Sequence, residues 1–219
     1  MGPVGIAILA LIFVVFGPLS GNTPGENASG ATVVSYWSTS THQDVGWLSI
    51  YMVGLALALL LVWATQLRTI LRDAEGRPSF LPNVAFAGGI IFVAGTVVTG
   101  IDHMVLIVAA HNHQAGIAQT ANFIDQNNYL PLLFGLSLLT LATGAAILNR
   151  SSLPKWLGWV SVVLGVLCVA GPLSFFGLIG SGVWLAVAGF VVGYHQPGTE
   201  SRPAGAPQTL GAGQTVSSS

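Results

Sequence analysis

The chain has 219 residues, of which 53% are hydrophobic and 6% are Asp, Glu, Lys or Arg, with a mean hydropathy of +0.75 and a net charge of -1. A soluble domain carries roughly 25% charged residues, so an ordinary water-soluble enzyme is excluded, and a near-neutral chain offers no basic field to hold nucleic acid. The single cysteine, Cys168, excludes an intramolecular disulfide and a cysteine-built zinc cage.

A membrane-spanning helix needs about 20 mostly apolar residues, because lipid offers no partner to a free backbone N–H or C=O. The first such stretch is 3–19. It lacks a basic leader and is followed by Ser20-Gly21-Asn22-Thr23-Pro24 rather than by a small-residue cleavage site, so it reads as an uncleaved span and not a signal peptide. The loop 20–45 opens with turn residues. Within it, Val33, Val34 and Trp37 share one face of a short helix on the membrane, with an irregular loop as the equal alternative. Asn27-Ala28-Ser29 matches the glycosylation sequon, and an accidental match is the expectation.

The second span, 46–67, is expected to run on into the loop 68–83 before breaking at Gly76, Pro78 and Pro82. The third, 84–110, is interrupted by Asp102-His103. The fourth is 130–148. Pro154 then suits the first turn of a helix, and the fifth and sixth spans are 156–175 and 177–194. These two are nearly continuous. A single helix over both would be about 58 Å long against a hydrocarbon core of about 30 Å, so they are split at Gly171-Pro172 and Gly177, by a tight turn or as a re-entrant hairpin. The tail 196–219, rich in Gly, Pro, Ser and Thr, reads as disordered.

Orientation follows from the six basic residues: Arg68, Arg72 and Arg77 between spans two and three, Arg150 and Lys155 between four and five, and Arg202 after six. All lie on one side of a six-span arrangement, which the positive-inside rule makes cytoplasmic. The expected fold is therefore an all-α polytopic membrane protein, with six transmembrane helices over 1–195 and both termini inside, in the plasma membrane. Trp47, Trp63, Trp156, Trp159, Tyr129 and Tyr194 fall near span ends, where amphipathic rings favour the interface. Small residues make packing stripes on three spans: Gly88, Gly95 and Gly100; Gly158, Ser161, Gly165 and Cys168; and Gly182, Ala186, Gly189 and Gly193. In this reading Cys168 packs and has no redox role.

Ionisable groups within a span are costly and point to function. Asp102 is the carboxylate at the edge of a span, with His103 beside it. His111 and His113 follow just past that span, and His42, Asp44 and Asp125 lie in the outer loops. If the hydrocarbon begins at Val84, Asp102 lies about 27 Å along the helix, at the outer boundary. If the apolar run Met104–Ala110 is also immersed, it lies deeper, and the sequence leaves both frames open. Imidazole and carboxylate suit zinc or copper(II), which makes His111, His113, His103 and Asp102 the candidate metal ligands. The spacing resembles no H-E-x-x-H pattern, and a site requires the outer loops to converge. Asp102 with His103 is also the candidate proton or ion relay, although Thr96, Thr99, Ser137, Thr140 and Thr143, the mid-span polar residues, are all able to bond to their own helix backbone. No G-x-S-x-G or other nucleophile signature supports a catalytic set.

The run Gly17-Pro18-Leu19-Ser20-Gly21-Asn22-Thr23-Pro24-Gly25, the Val33-Val34-Ser35-Tyr36-Trp37 segment and the lead-in Leu153-Pro154-Lys155-Trp156-Leu157-Gly158-Trp159 resemble a broad family of small multi-pass bacterial membrane proteins, abundant in actinobacteria, that has no established activity. The resemblance implies a six-helix inner-membrane protein over about residues 1–195 and supplies no catalytic residues. The leading functional expectation is a non-enzymatic component whose partners are membrane lipids or other membrane proteins. The alternatives are a transporter or ion-binding protein working through Asp102 and His103, and a metal-dependent enzyme on the outer face.

Overall fold

The computed structural model describes residues 1–16, 23–75, 80–150 and 153–194. Among them every regular element is helical: α1 (Gly2–Phe16), α2 (Gly30–Trp37), α3 (Ser40–Glu75), α4 (Leu81–His111), α5 (Ala115–Asn127), α6 (Leu130–Arg150), α7 (Lys155–Cys168), a 3-10 turn (Gly171–Leu173) and α8 (Ser174–Tyr194). Four stretches are long and apolar enough to cross a membrane: 40–73, 81–111, 115–149 and 171–192. The apolar helices α1 and α7 are shorter, at about 22 and 21 Å against a core of about 30 Å. The chain is thus an all-α protein with membrane-crossing helices. Against six expected crossings of full length, four helices have it. The fifth span is shorter than expected because α7 stops at Cys168, where Gly171, at φ +60, turns the chain.

The helices differ in length, and the difference shapes the molecule. At 1.5 Å per residue, α3 runs about 54 Å and α4 about 46 Å, whereas α8 runs about 32 Å. The long helices project beyond the others at the end holding the α3 N-terminus and the α4 C-terminus. There a second apolar core forms, in which Val33 and Trp37 of α2, Leu106, Ile107, Ala109 and Ala110 of α4, and Ala118 and Ala121 of α5 are all buried together. This projection is legible in residue chemistry once α2 and α5 are recognised as helices. Ser29 caps α2 by accepting from the Thr32 N–H at 3.2 Å, which gives the serine of the sequon a structural role. α5 buries Ala118, Ala121 and Asn122, an i, i+3, i+4 stripe.

The main core lies between α1, α3, α4, α6, α7 and α8. Close approach rests on small residues. At Gly135 of α6 a side chain would collide with the backbone of Phe92 in α4, and at Gly177 of α8 with the backbone of Cys168 in α7. Gly158, Ser161, Gly165 and Cys168 are all buried, as are Gly182, Ala186 and Gly189. Gly100 meets nothing within 4 Å and does not pack. Lys155 donates from Nζ to the carbonyls of Ile147 and Leu148 at 2.8 and 3.0 Å, satisfying the open end of α6.

Two local expectations are corrected. Pro82 does not break a helix but sits in the first turn of α4, where its missing N–H costs nothing. Trp63 is not at an interface: it is fully buried, edge-to-face against Trp184 with ring centroids 5.7 Å apart. Trp156 and Trp159 are exposed, as interfacial rings are. Gly76, Pro78 and the tail 196–219 lie outside the described residues.

Candidate functional site

The site forms where the projection meets the main bundle. α5 runs back along the C-terminal part of α4, and the helical path then breaks at Asn128 and Tyr129 before α6 begins. That break lies opposite Asp102. Asn128 donates from its side-chain nitrogen to Asp102 Oδ2 at 2.7 Å, and its carbonyl accepts from Thr99 Oγ1 at 2.9 Å. Asp102 Oδ1 has no hydrogen-bond partner among the described residues.

His103, about 100° further round α4, points elsewhere. Its Nδ1 donates to Asp125 Oδ2 of α5 at 2.9 Å, the one ion-pair geometry among the described residues. The Trp37 ring of α2 meets the imidazole edge-on at 5.1 Å. His103 therefore joins three helices. The adjacent residues Asp102 and His103, which the sequence pairs as a relay, have separate partners on α5 and at its end.

The other histidines are dispersed. His111 closes α4, and its Nδ1 accepts from the Gln43 amide at 3.2 Å. His113 occupies the turn at φ +54. There the Gln114 N–H bonds to the Ala109 carbonyl and the His113 N–H to the Ala110 carbonyl, the paired pattern that ends a helix on a left-handed residue. His42 stacks on Tyr36 at 3.8 Å and donates to its carbonyl. Among the described residues no group of three His, Cys, Asp or Glu side chains converges as a metal site requires. The four candidate ligands His103, His111, His113 and Asp102 are thus not brought together: the first two are hydrogen-bonded elsewhere, the third serves a helix end, and the fourth faces a groove.

That groove, of about 430 Å³, opens between α4 and α5. Asp102 and Val105 line it from α4, and Gly116, Ile117, Thr120, Ala121 and Ile124 from α5. Ile117, Ile124 and Val105 are exposed apolar side chains. Thr120 donates its hydroxyl to the Gly116 carbonyl at 3.0 Å, which leaves its oxygen able to accept. The result is a carboxylate set among apolar walls.

The segment before α2 is fastened against α5. Asn122, buried, donates to the Gly25 carbonyl at 3.0 Å, and Asn127 to Glu26 Oε2 at 3.3 Å. Sequence reasoning took 111–129 as a loop and so missed Asn128 and the groove residues of α5. The stripe Ala118, Ala121, Asn122, Asp125 carried the signal, but alanines give a weak apolar period.

No protein-family model, curated protein or solved structure matches the chain.

Proposed function

We propose that the chain is a six-crossing, plasma-membrane protein with both termini cytoplasmic, and that it is a non-enzymatic component binding a lipid at the outer boundary of the bilayer. The observation that carries this reading is the groove between α4 and α5, with apolar walls and Asp102 among them. The basic residues support the orientation, since Arg68, Arg72 and Lys155 lie at the ends of helices away from α2 and α5. α1 and α7 cross as short helices beside longer neighbours, which local thinning of the bilayer accommodates. The likeness of the Leu153–Trp159 lead-in to a bacterial multi-pass family is part of the same reading.

The frame that puts Asp102 at the outer boundary is supported by protein cover over one face of the apolar run beyond it, while Met104, Val105 and Val108 on the other face are exposed. Leu106, Ile107, Ala109 and Ala110 are buried by α2 and α5, so their apolar character needs no lipid to explain it. Binding is favoured over transport because the mid-span hydroxyls are engaged with carbonyls. Thr96, Thr140 and Thr143 bond within their own helices, and Ser137 bonds to Gly165 of α7.

The test is native mass spectrometry of the detergent-purified chain against an Ile117→Trp variant that fills the groove. Wild type is expected to retain one more tightly held phospholipid than the variant. Equal retention overturns the reading.

A further inference from the structure

We infer that Arg68 and Asn83, at the end of the bundle opposite the groove, hold the phosphate of an anionic phospholipid whose chains lie along the α3–α4 seam. This goes beyond the lipid-binding reading above and does not depend on it. Arg68 is half-buried near the end of the crossing stretch 40–73. Its guanidinium is fixed twice. Nε donates to Asn83 Oδ1 of α4 at 2.9 Å, and the central carbon lies 5.4 Å from the centre of the Phe86 ring. A guanidinium has five N–H donors. Those on the two terminal nitrogens have no partner among the described residues. Asn83 is exposed and accepts through its oxygen, so its side-chain N–H groups sit beside the guanidinium, also without a partner among the described residues.

The charge is unmatched as well. The ion pair among the described residues is His103–Asp125, towards the other end of α4. Arg72, one turn further along α3 and about 40° round it, is exposed and adds a second unpaired cation to the same face. Asp73 lies about 140° round α3 from Arg68 and points away. A planar fork of N–H donors fits two phosphate oxygens at once. A zwitterionic head brings a further cation to a face that already carries two. The chains have a path into the bilayer. From Asn83 and Phe86 the crossing stretch 81–111 runs towards Asp102. Along that course Ile90 and Val97, within about 40° of Phe86 around α4, are exposed apolar side chains. Leu61, two turns back from Arg68 on α3, is half-buried on the same side. Basic groups between helix ends, with apolar helix surface leading away from them into the membrane, suit an anionic lipid head.

The experiment presents the detergent-purified full chain with equimolar phosphatidylglycerol and phosphatidylcholine of matched acyl chains and reads the retained adducts by native mass spectrometry. It is repeated with excess inorganic phosphate, against chloride at equal ionic strength. Wild type is expected to favour phosphatidylglycerol about tenfold, and phosphate to leave that adduct in place. Arg68→Gln should lose most of the preference. Arg68→Lys, which keeps the charge without the fork, should lose part of it. Thermal melting checks folding, and Asn83→Ala, at an exposed position, should weaken the preference even if Arg68→Gln does not fold. Equal retention of the two lipids by wild type, or an unchanged preference in Arg68→Gln, Arg68→Lys or Asn83→Ala, overturns the inference. Displacement of the lipid by inorganic phosphate but not by chloride overturns the lipid assignment in favour of a soluble phosphate.

Discussion

His103 Nδ1 of α4 lies 2.9 Å from Asp125 Oδ2 of α5, with the ring of Trp37 from α2 against the same imidazole. One side chain thereby ties together three of the helices in the projection beyond the main bundle. Both partners are mostly shielded, with side-chain exposures of 22% and 15%, so the bond is only partly screened by water. Losing one partner should cost about 1–3 kcal/mol locally. Asp125→Ala is expected to speed backbone hydrogen exchange in α5 while leaving α6 and α8 unchanged. Uniform loss of protection across all helices would show that the projection is not a separate unit.

Trp63 and Trp159 make a contrast that sequence position does not reveal. Trp63 is 0% exposed and packs on Trp184, whereas Trp159 is 63% exposed. Replacing a buried tryptophan by alanine removes its contacts and leaves a cavity, at a cost of about 3–5 kcal/mol. Trp63→Ala should lower the melting temperature in detergent by many degrees, and Trp159→Ala by few. Equal shifts would contradict the burial of Trp63.

Gly135 faces the backbone of Phe92, and Gly54 faces open space. Gly135→Leu must push α4 and α6 apart, and overpacking of this kind costs about 1–3 kcal/mol or more. Gly54→Ala should instead gain up to about 1 kcal/mol, the usual helix preference of alanine over glycine. Melting temperatures of the two variants should move in opposite directions.

His113 sits in the left-handed region, at the position after a helix end that glycine usually occupies. Relieving that conformation should offset the added chain entropy, so His113→Gly is expected to be neutral or to stabilise by up to about 1 kcal/mol. Clear destabilisation would mean that the imidazole holds something the backbone geometry does not require. Metal content of the purified wild type and variant, measured together, separates these outcomes.

Much of the bundle was readable in residue order. The span 130–148 matches α6 closely, the chain from Gly46 to Leu67 lies inside α3, and the small residues Gly158, Ser161, Gly165 and Cys168 share a buried face. Those signals are strong because lipid imposes a long, uninterrupted apolar run and because close helix contact demands small side chains. The projection was much less legible. α5 is short and its buried face is built from Ala118, Ala121 and Asn122, which carry little hydrophobic contrast. The site suffered from the same gap. Asp102 stood out as a carboxylate at the edge of a span, but its partner Asn128 and the walls Ile117 and Thr120 come from a segment that reads as a polar loop. His111 and His113 attracted attention as a metal pair, yet one is the last residue of α4 and the other the residue that turns the chain.

The central claim is that α2, α5 and the Asp102 groove stand on the outer face, opposite the basic helix ends. It is tested most directly by single-cysteine labelling of intact cells with a membrane-impermeant maleimide, in a background where the buried native Cys168 is replaced by Ala. Thr120→Cys is expected to react in intact cells, and Arg72→Cys only after the membrane is opened. Reaction of Arg72→Cys in intact cells, with Thr120→Cys protected until permeabilisation, would contradict the orientation and the placement of the groove.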